Sequence, residues 1–206
     1  MHSLKRKTPF IKRWMDIILS TVILFILSPL ILFVGIIIWF SDGRPIFFLH
    51  ERPGINGEPF KLIKFRSMRN AKDNGGNLLP DGERITRFGQ FLRKTSIDEL
   101  PEFINVLCGD MSLVGPRPLL MQYLSRYSEE QFRRHAVLPG VTGWAQVNGR
   151  NAISWEEKFK LDLWYIDHWS IWLDIKILFM TIWKVISGEG ISQPGKATMD
   201  EFMGNE

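Results

Sequence analysis

Residues 17–40 form an unbroken run without a charged side chain. That is long enough to cross the apolar core of a bilayer, which takes about 20 residues in a helix. Lys5, Arg6, Lys7, Lys12 and Arg13 precede the run, and Trp14 and Trp39 bracket it as interfacial anchors do. A cleaved signal sequence would have a shorter apolar region and a small-residue cleavage site, which is not seen. Ser28-Pro29 lies near the middle of the run. Proline lacks an N–H and crowds the preceding turn, so it kinks a helix there, and Ser28 can bond a freed carbonyl. Two readings stay open on the residues alone: a kinked span, or a re-entrant helix–break–helix that enters and leaves on one side.

Further along, the pattern changes period. Residues 45–49 and 60–65 read as two strands, with a turn over 52–57, and so as a hairpin. Residues 70–82 are polar and rich in Gly and Asn, which predicts an exposed loop. Helices are expected over 84–94, 98–107 and 119–135, and a glycine-rich loop over 138–150. Across 155–186, apolar residues recur at three- and four-residue spacings with charges between them, predicting one or two amphipathic helices. Trp164, Trp169, Trp172 and Trp183 suggest that one face lies at a lipid surface. The competing reading is that this face packs on the core. The fold class expected is α+β, mostly helical, with a membrane segment over 1–41 and a catalytic domain over 42–206.

Composition adds a mild basic excess: 26 Lys and Arg against 22 Asp and Glu, a net charge of +4. This suits anionic lipid, phosphorylated substrates or nucleic acid without choosing among them. A single cysteine, Cys108, excludes an internal disulfide and points to a reducing environment. Several chemistries are missing. There is no P-loop, no dinucleotide-binding glycine fingerprint, no His-Glu-x-x-His and no Gly-x-Ser-x-Gly. Four scattered histidines form no metal pattern.

What remains is Asp98-Glu99, two adjacent carboxylates among cations. Pro101 fits only the first turn of a helix, which places the pair at a helix N-terminus. Such a terminus attracts phosphate and keeps a nearby Asp ionised. Lys64, Arg66, Arg93 and Arg117 can pair with phosphate oxygens. Pro116 and Pro118 fix the backbone around Arg117. An ionised Asp98 can ligate Mg²⁺ or attack phosphorus. The plain alternative is local: an Asp98 N-cap, or a capping box from Ser96 to Glu99. A box starting at Ser96 would push Pro101 beyond the first turn, which weakens it.

The ordered set Arg52-Pro-Gly, Lys64-Phe-Arg-Ser-Met68, Asp98-Glu-Leu-Pro101, Asn105-Val-Leu, Gly109-Asp-Met-Ser-Leu-Val-Gly-Pro-Arg-Pro118 and Pro139-Gly-Val-Thr-Gly-Trp-Ala-Gln-Val-Asn-Gly-Arg150 resembles the bacterial sugar transferases, or monotopic phosphoglycosyl transferases. The match covers roughly the whole chain and looks like the small, PglC-like form. The resemblance implies transfer of a phosphosugar from a UDP-sugar to undecaprenyl phosphate with release of UMP, by a ping-pong route with Mg²⁺. It implies Asp98 as nucleophile, near or bound to the metal, and Glu99 as its dyad partner. Lys64, Arg93 and Arg117 would steady phosphates, and Arg66, Gln146 and Asp162 would face the substrate. It implies the re-entrant form of the helix broken at Ser28 and Pro29. It also implies a monotopic enzyme on the cytoplasmic face of a bacterial inner membrane, acting early in glycoconjugate, especially N-glycan, assembly. The implied partners are the phospholipid bilayer and downstream glycosyltransferases, and no nucleic acid.

Overall fold

The computed structural model describes residues 8–73, 75–149, 153–187 and 201–204. The chain opens with one helix, α1 (Phe10–Asp42), followed by a hairpin of β1 (Phe47–Pro53) and β2 (Pro59–Phe65). Next come α2 (Asp81–Arg84), α3 (Arg87–Lys94), a 3₁₀ turn at Ile97–Glu99, and α4 (Glu102–Cys108). Strand β3 (Ser112–Val114) leads into a 3₁₀ segment at Met121–Arg126, α5 (Glu129–Phe132) and a 3₁₀ turn at Arg133–Ala136. The chain then forms β4 (Gly140–Thr142), α6 (Trp144–Asn148), α7 (Trp155–Asp167) and α8 (Ile171–Ser187). The described chain is thus mostly helical, with one short hairpin and one long apolar N-terminal helix.

The 33 residues of α1 are long and apolar enough to cross a membrane. Pro29 lies inside the helix and cannot donate to the carbonyl of Phe25. The Ser28 hydroxyl donates to that same carbonyl at 2.8 Å, so the orphaned acceptor is satisfied within the chain. Residues 21–33 contain no fully buried side chain, whereas both ends of α1 dock on the rest of the protein. At the N-terminal end, Arg13 donates to the carbonyls of Val106 and Leu107 at the C-terminal end of α4. Lys12 reaches Val114 O at 2.9 Å and Asp174 at 2.6 Å, and Asp16 accepts from Leu113 N at 3.0 Å. At the C-terminal end, Val34 and Ile38 pack with Phe65 and Leu92. Arg66 donates to the carbonyls of Asp42, Gly43 and Arg44.

The hairpin forms where expected, with Asn56 and Gly57 at φ 55° and 78° turning the chain. A second sheet was not expected: β3 and β4 pair in parallel, Ser112 with Gly140 and Val114 with Thr142. This pairing brings the two glycine-bearing segments together. A Cβ on Gly140 would sit 2.1 Å from the Gly115 nitrogen, so only glycine permits the approach. The main core gathers Leu62, Val106, Met111, Leu113, Val114, Tyr165 and Ile177, two of them from β3.

Four expectations change. The helix expected over 84–94 starts only at Arg87, because the Thr86 hydroxyl accepts from Gly89 N and caps it there. The helix over 119–135 is broken into short pieces, because Ser128 caps a new turn with Gln131 in a reciprocal capping box. The segment 138–150 is not all loop, since it includes β4 and α6. The helix after the carboxylate pair starts later than expected: Pro101 is the cap of α4, and Asp98 and Glu99 lie in the preceding 3₁₀ turn. Helices α7 and α8 do form an amphipathic pair. Trp172, Phe179 and Trp183 are exposed on α8, while Asp174 and Ile177 are fully buried. Trp169 turns inward and donates to Asp174.

Candidate active site

Ser96 takes a left-handed conformation (φ 57°) just after α3 and makes no cap, which removes the capping-box reading. The chain reverses there into the 3₁₀ turn, and Asp98 and Glu99 line a cavity of about 740 Å³. Lys64, Arg66, Arg93, Arg117, Gln146 and Asp162 line it too. The catalytic and substrate-binding candidates expected from sequence therefore line one cavity, though not in equivalent roles, whereas Ser28 and Pro29 lie apart in α1.

The two carboxylates are treated differently. Glu99 accepts from Lys64 Nζ at 2.7 Å, and its two oxygens take both terminal nitrogens of Arg117. Burial works against its charge, but Arg117 and Lys64 outweigh burial and hold its pKa well below the usual carboxylate range. Glu99 is therefore a fixed anion that orients two cations. The Asp98 carboxylate makes no hydrogen bond among the described residues, although the residue is only 8% exposed. Burial, then the adjacent Glu99, push its pKa up to about 6, against the pull of Lys64, Arg93 and Arg117. Asp98 is the oxygen donor left free to meet something in the cavity.

The cations are graded as well. Arg93 is tied by Nε to Ser67 Oγ at 2.9 Å. Arg66 spends both terminal nitrogens on the carbonyls that end α1. Gln146 donates to Val141 O at 3.0 Å, and its side-chain oxygen is buried without a partner. Asp162 is buried against Arg134, which binds it through Nε at 3.2 Å and a terminal nitrogen at 2.6 Å. Arg134 also donates to the Arg117 carbonyl at 2.9 Å. Asp162 thus supports the backbone that aims Arg117.

Residue-by-residue reading missed Glu102, Arg134 and Lys158. Glu102 is 1% exposed and its carboxylate lies 3.1 Å from Lys64 Nζ, so Lys64 bridges Glu99 and Glu102. Burial and the Glu99 charge raise the pKa of Glu102 to about 7. Its position three residues after Glu99 was a usable signal, since it returns the side chain to the same face. Lys158 lines the cavity with its ammonium 4.5 Å from the Trp155 ring centroid, and burial lowers its pKa to about 8. Arg134 has no local signal, because its partner is 28 residues away.

A metal held by protein groups alone has no place among the described residues, where no cluster of three His, Cys, Asp or Glu occurs. Mg²⁺ is usually bound by one or two carboxylates together with substrate phosphates. A free Asp98 oxygen in a cationic cavity fits that mode.

The model of one family, the bacterial sugar transferases, matches residues 7–188. The chain belongs to this family. Among its relatives, this sugar transferase is 54% identical to EpsL of Bacillus subtilis (strain 168), named as an uncharacterized sugar transferase, over 95% of this chain and 96% of that one. It is 42% identical to the UDP-glucose:undecaprenyl-phosphate glucose-1-phosphate transferase of Escherichia coli (strain K12), over 84% of this chain and 40% of that one. It is 41% identical to an Aeromonas hydrophila UDP-N-acetylgalactosamine-undecaprenyl-phosphate N-acetylgalactosaminephosphotransferase, over 88% of this chain and 45% of that one. The sugar transferase thus spans nearly all of the Bacillus relative and less than half the length of the other two.

Proposed function

We propose that this protein transfers a phosphosugar from a UDP-sugar to undecaprenyl phosphate, releasing UMP, in two steps through an Asp98 intermediate. The observation that carries the reading is the asymmetry of the carboxylate pair: Glu99 is locked by Lys64 and Arg117, while Asp98 faces the cavity unbonded. In the first step an Asp98 oxygen attacks the β-phosphorus. The bond from that phosphorus to the bridging oxygen breaks, and UMP departs with the electron pair. In the second step an oxygen of the lipid phosphate attacks the same phosphorus, and the bond to Asp98 breaks. The product is the sugar linked through a diphosphate to the lipid.

Lys64, Arg93 and Arg117 offset the charge of the phosphates, and Glu99 keeps two of these cations in place between turnovers. Mg²⁺, when bound at Asp98 with the donor's diphosphate, would supply further neutralisation of that charge. Splitting the transfer lets a water-soluble donor and a membrane-held acceptor use one site in turn.

We place the enzyme at the cytoplasmic face of a bacterial membrane with α1 re-entrant. Support comes from the docking of both ends of α1 on one domain. In a straight helix Arg13 and Ile38 would lie roughly 37 Å apart. Yet Arg13 binds α4, Ile38 packs on Phe65 of β2, and Asn105 of α4 bonds directly to residues 61 and 63 of β2. The exposed Trp172, Phe179 and Trp183 of α8 suit the lipid interface. The reaction is a first membrane-bound step of glycoconjugate assembly, N-glycans included.

UMP release across a panel of UDP-sugars, with and without undecaprenyl phosphate, tests the reaction. Acceptor-dependent release from at least one donor is expected. No release from any donor would remove the proposal.

A further inference from the structure

Part of the cavity lining is apolar and is not used by the dyad. Pro45, Phe47 and Phe48 belong to it. Side chains alternate along a strand, so Phe48, His50 and Arg52 share one face of β1, and Lys64 stands opposite Phe48 across the hairpin. The Phe48 ring meets the His50 ring edge-on at 5.6 Å, and His50 Nδ1 lies 3.2 Å from a terminal nitrogen of Arg52. Phe48 is 51% exposed, whereas His50 and Arg52 are half-buried. The row therefore joins an exposed aromatic ring to cations: Lys64, opposite Phe48, bonds Glu99, and Arg52 lies beyond His50.

The apolar lining also joins the apolar surface of α1. Arg44 lies over the Trp39 ring at 4.9 Å, and Phe47 stacks on Phe65, which packs against Ile38. A ligand laid along this row would need an anionic head and a long hydrocarbon tail leading into lipid. We propose that Phe48, with Pro45 beside it, seats isoprene units beyond the first of the lipid phosphate acceptor and makes the enzyme selective for long-chain acceptors. The inference rests on the transfer reaction proposed above.

The test compares Phe48→Ser with Leu49→Ser. Leu49 is 54% exposed on the opposite face of the same strand and does not line the cavity. Kinetics are measured with undecaprenyl phosphate and with dimethylallyl phosphate, alongside thermal melts of each variant. Phe48→Ser is expected to raise KM for undecaprenyl phosphate about tenfold, or about 1.4 kcal/mol. KM for dimethylallyl phosphate and for the UDP-sugar should stay within about twofold, and Leu49→Ser should change none of these. An equal rise for both acceptors would overturn the proposal. So would a raised KM for the UDP-sugar, which would mean that the nucleotide base stacks on Phe48. An equal effect of Leu49→Ser would mean that the strand edge only anchors the protein in lipid. Absence of any transfer by the unmodified protein would instead sink the reaction itself.

Discussion

Replacing Asp98 by Asn keeps the side chain's shape and removes its charge. In the folded protein the Asp98 pKa rises from 3.8 to about 6, through burial first and the Glu99 charge second. At neutral pH that shift disfavours the ionised form by about 3 kcal/mol. Because the folded pKa is the higher one, the unfolded chain gives up this proton more readily, and the charge destabilises the fold. The penalty is absent below about pH 3.8, grows through the window up to about 6, and is constant above it. Asp98→Asn is therefore expected to be inactive yet more stable at pH 7.5 by about 2–3 kcal/mol. For a chain of this size that is roughly 5–10 °C in Tm. Thermal melts of both proteins in the same detergent at pH 4.5 and 7.5 provide the assay. An Asn variant that melts at or below the parent at pH 7.5, or a gap that is the same at both pH values, would refute the reasoning. Either result would mean that Lys64, Arg93 and Arg117 already compensate the Asp98 charge.

The same shift sets a pH dependence for catalysis: kcat/KM should fall as pH drops through about 6, because attack needs the ionised carboxylate, and a profile flat down to pH 5 would contradict it. Glu99→Gln should lower kcat by about a hundredfold or more, since Lys64 and Arg117 lose the anion that positions them, whereas near-parental steady-state rates would remove Glu99 from the mechanism. Asp162→Asn leaves Arg134 charged and buried, so chemical denaturation should show a loss of about 3–5 kcal/mol, and a loss below about 1 kcal/mol would show that Arg134 finds other partners.

Much of the architecture was readable where the signal is local. The apolar run, the Asn56-Gly57 turn and the three- and four-residue spacing over 155–186 each depend on residues close in sequence, and each gave an element of the expected kind. The parallel pairing of β3 with β4 was not readable, because three-residue strands that meet about 28 residues apart have no periodicity to detect. The break in 119–135 was available in principle: Ser128 and Gln131 have capping-box spacing, but helical propensity on both sides masked it. Polar contacts over long range stayed hidden. Lys12 reads as part of a basic flank and Asp174 as one of the charges interleaved over 155–186, yet the two meet at 2.6 Å in the core, with Tyr165 and Trp169 also bonded to Asp174. At the site, the residue list was legible from motifs, whereas the division of roles was not. That Glu99 is held and Asp98 is free follows from where Lys64 and Arg117 point, which adjacency in sequence does not specify.

The central claim is that Asp98 carries the phosphosugar between donor and acceptor. The most direct measurement is intact-protein and peptide mass spectrometry after exposure to a turned-over UDP-sugar without lipid phosphate. A phosphosugar adduct on the peptide containing Asp98, discharged when undecaprenyl phosphate is added and absent from Asp98→Asn, is the predicted result. An active enzyme that shows no adduct under rapid acid quench, with kinetics requiring donor and acceptor bound together, would contradict it.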